Sequence, residues 1–441
     1  MKIRLLGAVF VSILVLAFSR AESGRQEYIV TLKSGHSVEA VNHAHGTQTI
    51  RQIADTSIYL IKAAGDDSDD ETLEAIKADR AVESVEKNAH ISLHSDQQDA
   101  HNSDVTDALA FSLDDHTLTT FFGTNVLRSY VDQPALALAQ VNDVRGISTG
   151  AGTRVAYIDT GVDPYHPALR PWLDPGVDLL NNTTTSELDG LSDAGASLLD
   201  DGGASLLDKR FFFWLDDAGA SLLDGGNYGG VFPSALGHGT LVAGLIHLVA
   251  PNATLVPIKA FDAYGRTTMF TIIEGVYRAK ELGVDVLNMS FSTSEYSATL
   301  RKAIADASAA GISIAASVGN DGEKMRHIYP ASYEGVVGTA ATDFYDHIAG
   351  FSNYGKPVLV AATGAFVIST APGGRYAAAW GTSFSAPLVS GAIALVASTR
   401  GRGHSDASQV VNTADNIDGL NPGFAKQLGK GRINVRRALK K

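Results

Sequence analysis

The sequence contains no cysteine among its 441 residues and only four methionines. No disulfide bond can stabilise the chain, so the folded protein must depend on packing or on bound ions. Positive charge is also scarce, because 35 lysines and arginines oppose 48 aspartates and glutamates and leave a net charge of −13. This excess of negative charge argues against a nucleic-acid partner. A hydrophobic content of 45% with 44 glycines instead permits a large α/β core with many tight turns.

Long apolar runs are also missing, apart from one over residues 5–18. Lys2 and Arg4 precede this run, which is too short to span a membrane comfortably, and Ser19 and Ala21 provide small residues after it. The pattern predicts a signal peptide over residues 1–21, cleaved after Ala21. We therefore expect a secreted protein without membrane association. The alternative is an uncleaved membrane anchor.

Residues 22–93 have the pattern of a small α+β module. A polar stretch follows, and we assign residues 94–139 to a linker in which maturation cleavage takes place. Residues 140–441 then form a larger domain. The elements predicted for the first module are strands at 28–32 and 57–61, a helix that includes 73–77, and a last strand that begins near residue 82.

Three short motifs place an aspartate, a histidine and a serine in this order along the larger domain. Asp159 lies in Val-Ala-Tyr-Ile-Asp-Thr-Gly, His238 in Gly-His-Gly-Thr-Leu-Val-Ala-Gly, and Ser383 in Gly-Thr-Ser-Phe-Ser-Ala-Pro. A serine hydroxyl needs an imidazole to take its proton and a carboxylate to hold that imidazole. The order Asp, His, Ser differs from that of chymotrypsin-type and α/β-hydrolase enzymes. An aspartic protease would need a second Asp-Thr-Gly or Asp-Ser-Gly, which the sequence does not contain.

Each of the three residues is predicted at the end of a strand or the start of a helix. Residues 155–158 form an apolar run typical of a buried parallel strand, which presents Asp159 at its carboxyl end. Apolar residues recur with helical spacing over residues 240–249, so His238 precedes a helix. Ser383 precedes another apolar helix, whose first turn offers unpaired N–H groups and the positive end of the helix dipole.

With these motifs, residues 140–439 resemble the subtilisin and proteinase K superfamily of serine proteases. The resemblance implies a three-layer α/β fold with a central, mostly parallel sheet. It also implies an endopeptidase that acts on proteins or peptides and needs no cofactor for its chemistry. In this family pattern Ser383 is the nucleophile, His238 is the general base and then the general acid, and Asp159 orients His238. Further family landmarks lie at residues 249–260, 329–331, 351–355 and 429–435.

Asn320 follows a strand predicted over residues 312–317. The resemblance makes its side chain a donor of the oxyanion hole, together with the backbone N–H of Ser383. Such a donor acts on charge that exists only in the transition state. The alternative is a turn asparagine that tolerates a left-handed backbone. The resemblance also places three residues along the bound substrate: Ser290, Phe291 and Ser292.

The sequence departs from the family pattern at three points. Phe384 follows the nucleophile where the family usually has methionine, and the bulkier residues 291–293 replace a glycine-rich stretch, which leaves the shape of the pocket open. The helix predicted after His238 continues into Pro251 without the calcium-binding loop of many subtilisins. We therefore assign no metal site, and structural calcium elsewhere stays an open alternative.

Residues 22–93 resemble the inhibitor propeptide of subtilases, more by their position ahead of the triad domain than by motif. The resemblance implies that this module acts as a folding template and leaves its tail in the active site. The alternative is an unrelated amino-terminal binding module.

An insertion over residues 191–226, between Asp159 and His238, contains three copies of Gly-Ala-Ser-Leu-Leu-Asp. The unit is too short, and its copies too few, for a solenoid with its own core. One interpretation is a calcium-binding surface, since calcium takes several oxygen ligands. We favour an acidic surface hairpin or loop that grew by duplication. The aspartates concerned are residues 200, 201, 208, 216, 217 and 224.

We therefore expect a secreted, monomeric serine endopeptidase that is made as a zymogen and has its own propeptide as a partner. The alternative is a catalytically silent copy of the fold, used as an extracellular binding module with the insertion as its contact surface. The presence of Asp159, His238, Asn320 and Ser383 together argues against that alternative.

Overall fold

A computed structural model describes residues 26–63, 69–93, 117–181, 185–187, 213–216, 219–221, 235–400 and 405–440. The chain divides into two compact units, Met1–Asn88 and Ala89–Lys441. The predicted signal peptide and most of the insertion lie outside the described residues, so both stay predictions.

The described part of the first unit is a four-stranded antiparallel sheet with two helices. Its elements are β1 (Glu27–Leu32), α1 (Val38–His45), β2 (Thr47–Gln52), β3 (Ile58–Ala63), α2 (Asp69–Lys77) and β4 (Val82–Lys87). The strands pair in the order β2-β3-β1-β4. Alternate residues of β1, among them Tyr28 and Val30, pack in one core with Val41 of α1 and Ile76 of α2. This small core organises the first unit.

The second unit is built around a parallel sheet. Its described strands are β5 (His90–Ser92), β6 (Leu118–Phe121), β7 (Thr124–Leu127), β8 (Arg154–Asp159), β9 (Val177–Asp178), β10 (Phe213–Asp216), β11 (Gly219–Ser221), β12 (Thr254–Lys259), β13 (Arg266–Thr268), β14 (Val286–Met289), β15 (Ser313–Ser317), β16 (Lys324–Met325), β17 (Val336–Thr342), β18 (Tyr354–Gly355), β19 (Val360–Thr363), β20 (Val367–Ala371) and β21 (Arg375–Trp380). Seven of them form one sheet in the order β19-β17-β15-β14-β8-β12-β9. Every neighbouring pair in this sheet is parallel.

Helices cover both faces of the seven-stranded sheet. The α-helices in the described part of this unit are α3 (Arg128–Val131), α4 (Pro134–Leu138), α5 (His238–Val249), α6 (Met269–Glu281), α7 (Ala298–Ala309), α8 (Thr382–Arg400), α9 (Ser405–Asn412) and α10 (Val435–Lys440). Val155 and Tyr157 of β8 pack in the core that contains α5 and α8. Ile158, on the opposite face, contacts α6, where a Cβ added to Gly275 would lie 3.0 Å from its Cδ1 atom. The expected three-layer α/β fold is therefore confirmed.

Helix α8 is long and apolar enough to cross a membrane, yet 89% of its apolar window is buried inside the protein. It packs directly on α5, because a Cβ added to Gly391 would lie 2.6 Å from the Cβ of Val249. Its apolar residues fill the protein core, so α8 is a core helix.

Residues 117–139, which the sequence assigns to the linker, form β6, β7, α3 and α4 and pack within the second unit. Tyr130 is buried, and its hydroxyl donates to the carbonyl oxygen of Gly244 in α5 at 2.6 Å. The Gln133 amide donates to the carbonyl of Ile368 at 2.7 Å and accepts from its N–H at 3.0 Å. This stretch therefore has short elements whose partners lie over a hundred residues away in the chain. The assignment of maturation cleavage to residues 94–139 stays a prediction.

Replacing Tyr130 with phenylalanine tests this packing. The ring remains, but the Gly244 carbonyl loses its buried hydroxyl donor, so we expect the free energy of unfolding to fall by about 1 kcal/mol. Tyr165→Phe is the matched control, because Tyr165 is 72% exposed. Thermal unfolding followed by circular dichroism measures both variants. Equal melting temperatures would contradict the structural role of this segment.

Candidate active site

The three motif residues meet at the carboxyl edge of the central sheet. Asp159 is the last residue of β8, His238 the first of α5 and Ser383 the second of α8. They are 1%, 6% and 5% exposed, respectively. The Nδ1 atom of His238 lies 2.7 Å from Oδ1 of Asp159, within hydrogen-bond distance. Phe384, which adjoins Ser383, has its ring centroid 5.4 Å from that of His238, so α5 and α8 bring the histidine and the serine into one neighbourhood.

Glycine is required beside His238. A Cβ added to Gly239 would lie 2.2 Å from the carbonyl oxygen of Gly161 and 3.1 Å from Oδ1 of Asp159. Gly161 itself has a φ of 114°, which side chains other than glycine rarely adopt. The two glycines therefore allow the first turn of α5 to approach the loop that follows Asp159.

Hydrogen bonds fix Ser383 against the end of β14. The Ser383 hydroxyl donates to the carbonyl oxygen of Ser290 at 3.0 Å, and the Ser290 hydroxyl donates to the carbonyl oxygen of Ser383 at 2.7 Å. Asn288 of β14 donates to the Ser290 hydroxyl at 2.8 Å and accepts from the hydroxyl of Ser390 in α8 at 2.9 Å. Helix α8 is thus tied to β14 and the residue that follows it at two points, Ser383 and, two turns later, Ser390.

Asn320 lies beside Ser383 with its carbonyl end held. Its Oδ1 accepts from the N–H of Thr382 at 2.8 Å and from the Thr382 hydroxyl at 2.9 Å. Because Oδ1 is used in these two bonds, the amide presents its NH₂ group as the remaining polar end. That end is a hydrogen-bond donor, the type of group that an oxyanion hole needs.

A pocket of about 440 Å³ contains Ser383 and Asn320. Two of the three residues predicted to contact substrate, Phe291 and Ser292, line this pocket. Ser290, the third, is not among the residues that line the pocket. It is buried, and its hydrogen bond to the carbonyl oxygen of Ser383 helps to position Ser383. The remaining lining residues are Ser92, Leu93, Thr293, Ser294, Ser317, Gly319, Asp321, Glu323, Met325, His327, Ile328 and Thr382.

Residues 89–93 form an added strand next to this pocket. Strand β5 pairs antiparallel with β13, with Ser92 opposite Arg266. The N–H of Leu93 donates to the carbonyl of Gly265 at 2.8 Å. The two strands form a separate two-stranded sheet, and Ser92 and Leu93 line the pocket.

Thr160, Glu187 and Thr382 take part in the site without having been predicted. Thr160 donates its N–H to Oδ1 of Asp159 at 2.8 Å, and Thr382 holds Asn320. Both lie inside the motifs quoted above, since Thr160 follows Asp159 and Thr382 precedes Ser383. A hydroxyl next to a predicted site residue was the sequence signal that could have identified them. Glu187 is 3% exposed and receives four hydrogen bonds from residues around Asp159 and His238. No local pattern marks it, because its partners lie at least 27 residues away.

Among the described residues, no group of three or more His, Asp or Glu side chains is placed to hold a metal ion. The side chains of the six aspartates named for the insertion lie outside the described residues. A calcium-binding role for that surface stays an untested alternative.

Comparison with known proteins identifies relatives among the subtilases. The model of the subtilase family matches residues 150–431. A thermophilic serine proteinase from Bacillus sp. strain AK1 is 32% identical over 64% of this chain, and the match spans 61% of that relative's length. Thermitase from Thermoactinomyces vulgaris is 29% identical over 66% of this chain and 90% of its own length.

A solved structure extends the likeness to nearly the whole chain. Fervidolysin from Fervidobacterium pennivorans, described as a keratinolytic enzyme related to subtilisin, superposes with a TM-score of 0.68. The superposition covers 96% of this chain and 62% of that structure at 21% sequence identity. At this identity the likeness establishes a shared fold.

Alanine at position 239 tests the close approach between α5 and the loop after β8. The new methyl group would collide with a backbone carbonyl, so we expect Gly239→Ala to lower the free energy of unfolding by about 1–3 kcal/mol. Gly419→Ala is the control, because an added Cβ there meets nothing within 4 Å. Thermal unfolding of the two variants gives the comparison. An unchanged melting temperature for Gly239→Ala would contradict the prediction, because it would mean that the loop around Gly161 shifts without loss of stability.

Proposed function

Because the chain belongs to the subtilase family, we propose that it is a secreted serine endopeptidase, made as a zymogen, that hydrolyses peptide bonds in proteins. Ser383 is the nucleophile, His238 is the general base and then the general acid, and Asp159 orients His238. The observation that carries this proposal is the 2.7 Å contact between His238 Nδ1 and Asp159 Oδ1, beside the pocket that Ser383 lines.

The first half of the reaction acylates Ser383. Its hydroxyl, which donates to the Ser290 carbonyl in the free protein, turns towards Nε2 of His238 and gives up its proton as Oγ attacks the substrate carbonyl. Donation of Nδ1–H to Asp159 leaves the lone pair on Nε2 and stabilises the imidazolium ion that forms. The buried carboxylate therefore fixes both the tautomer and the orientation of the base.

Negative charge then develops on the former carbonyl oxygen. The NH₂ group of Asn320 and the N–H of Ser383 are the proposed donors to it. The Thr382 bonds that hold the opposite end of the Asn320 amide support this assignment, because a preorganised donor need not be oriented during the reaction. The N–H of Ser383 also belongs to the first turn of α8, at the positive end of the helix dipole.

The remaining steps complete the acylation and then hydrolyse the acyl-enzyme, and they release the two products one after the other. His238 donates its proton to the leaving nitrogen as the C–N bond breaks, which frees the amine and leaves an ester on Ser383. Water then enters, His238 takes one of its protons, and the resulting oxygen nucleophile attacks the ester. When the intermediate collapses, the proton returns to Ser383. Besides the substrate and one water molecule, these steps use side chains and backbone groups of the protein.

The added strand at residues 89–93 supports production as a zymogen. It uses the hydrogen-bonding edge of β13 and lines the pocket through Ser92 and Leu93, which are positions that an extended substrate needs. We propose that residues 22–93 are an inhibitory propeptide and that their tail blocks the pocket until it is cleaved away. The buried hydrogen bonds of Tyr130 and Gln133 support a mature chain that keeps residues from Thr117 onward.

A phosphonate probe that reacts with active serine nucleophiles tests the proposed function. The processed wild-type protein should be labelled and should hydrolyse casein. Ser383→Ala should lose labelling, lose turnover on the order of a million-fold, and accumulate as unprocessed precursor. Circular dichroism checks that this variant is folded. A wild-type protein that is neither labelled nor active would favour the catalytically silent binding module.

Asn320→Ala tests the oxyanion donor. We expect the turnover number to fall by about 10²–10³ with little change in the Michaelis constant, because the donor acts on transition-state charge. Asn416→Ala, at an exposed asparagine outside the pocket, is the control and should leave both constants unchanged. Steady-state kinetics on a peptide substrate provide the measurement. A change confined to the Michaelis constant would instead make Asn320 a substrate-positioning residue.

A further inference from the structure

We propose that Glu187 is a positioning residue, which holds Asp159 and His238 in register by receiving hydrogen bonds from the segments that follow each of them. The inference rests on the proposed function, since it concerns the same catalytic pair. Glu187 lies between Asp159 and His238 in the sequence, in the described segment 185–187.

Both carboxylate oxygens of Glu187 are engaged. Oε1 accepts from the hydroxyl of Thr160 and from the N–H of Gly239, the latter at 3.1 Å. Oε2 accepts from the hydroxyl of Thr240 and from the N–H of the same residue, the latter at 3.3 Å. Thr160 follows Asp159 directly, and Gly239 follows His238 directly. One buried carboxylate therefore connects the two halves of the catalytic pair.

The hydroxyl groups of Thr160 and Thr240 both donate to the carboxyl group of Glu187. The Thr160 hydroxyl accepts from the N–H of Gly239 at 3.0 Å, and the Thr240 hydroxyl accepts from the N–H of Asp163 at 2.8 Å. Each hydroxyl has one proton: that of Thr240 is directed to Glu187, and that of Thr160 is shared between Glu187 and Oδ1 of Asp159, which lies 3.3 Å away. All four groups that face the carboxyl are donors, so the ionised form of Glu187 satisfies them and an amide at the same place does not.

Helix α5 depends on this residue for its first turn. Its N-cap is Gly237, which provides no side-chain hydrogen bond. The first N–H groups of a helix need acceptors from outside the helix, and a negative charge there also interacts favourably with the helix dipole. Glu187 accepts from two of these groups, Gly239 and Thr240. The first residue of α5 is His238 itself, so the same contacts orient the catalytic base.

The segment that carries Glu187 is anchored to the Asp159 loop. The N–H of Val162 donates to the carbonyl of Thr185, and the N–H of Glu187 donates back to the carbonyl of Val162, both at 2.9 Å. A Cβ added to Gly161 would lie 2.4 Å from the Thr185 carbonyl oxygen and 3.3 Å from Cγ of Glu187. Glu187 therefore cannot move away from this loop without breaking a paired backbone contact.

The charge of Glu187 and of the groups around it should affect the protonation of His238, which can be measured. Burial raises the pKa of Glu187, its hydrogen bonds oppose that rise, and the charge of Asp159 adds to it. The titratable groups near it in the described part of the chain include Tyr157, whose pKa burial and the two carboxylates raise, His238 at the start of α5, and Lys259. The ammonium group of Lys259 donates to the carbonyl of Ser186 at 2.9 Å. A negative charge at Glu187 favours the protonated imidazole of His238 during turnover.

The test compares Glu187→Gln with Glu334→Gln, a change of the same charge at an exposed site. For Glu187→Gln we expect the turnover number of the processed enzyme to fall at least ten-fold. The acid limb of its pH profile should move to lower pH, because the charge that favours imidazolium is gone. The low-field proton resonance of the His238–Asp159 bond should also shift. Glu334→Gln should match the wild type in all three measurements.

Glu187→Asp provides a second variant should Glu187→Gln not fold. It keeps the charge but is one methylene shorter and cannot reach both hydroxyls, so we expect lower turnover with the acid limb in its wild-type place. A folded Glu187→Gln or Glu187→Asp enzyme with turnover within two-fold of wild type would overturn the proposal. So would a Glu187→Gln enzyme with an unmoved acid limb, since a purely structural residue would change only the melting temperature. Absence of wild-type activity would instead contradict the proposed function.

Discussion

The site depends on the direct packing of two buried helices, α5 and α8. Gly391 of α8 has no room for a Cβ against Val249 of α5. Any larger side chain at this crossing would therefore push the two helices apart. The hydroxyls of Ser369 and Thr370 in β20 donate to carbonyls in the first turn of α5 at 2.6 and 2.7 Å, which fixes that helix from its other side. Because His238 and Ser383 lie at the amino ends of α5 and α8, a shift between the helices would move His238, the proposed base, relative to Ser383, the proposed nucleophile.

A second layer of polar contacts converts this packing into defined side-chain positions. Ser290 ties Ser383 to β14, Thr382 holds the carbonyl end of Asn320, and Thr160 donates to Asp159. The bonds of Ser290 and Thr160 are buried and that of Thr382 is partly buried. In such a low-dielectric environment a satisfied network is rigid and an unsatisfied group is costly. The site is therefore organised before a substrate arrives, which is the condition for electrostatic stabilisation of a transition state.

The sequence predicted those features of the fold and the site that depend on residues close together in the chain. The apolar run before Asp159 and the helical spacing after His238 are local patterns, so the strand, the helix and the order of the motifs were predictable. Glu187 and the segment around Tyr130 were not, because what marks them is contact with residues far along the chain, such as Gly239 and Gly244. Their own neighbours in sequence are polar or belong to short elements, which is the pattern of a linker.

The insertion shows how an addition can be accommodated beside such a tightly packed site. Its described strand β10 pairs in parallel with β21, with Phe213 opposite Ala377 and Asp216 opposite Trp380, and β11 pairs with β10. These strands extend the β20–β21 sheet on its β21 side, so they need no space inside the helix packing of the core. On either side of the insertion the chain is held, by the contacts of Glu187 with Val162 and by the bond from the N–H of Ala235 to the carbonyl of Ala263 at 2.9 Å. The described strands of the insertion therefore join the edge of a sheet, while the anchors at Glu187 and Ala235 hold the chain that leads to Asp159 and His238.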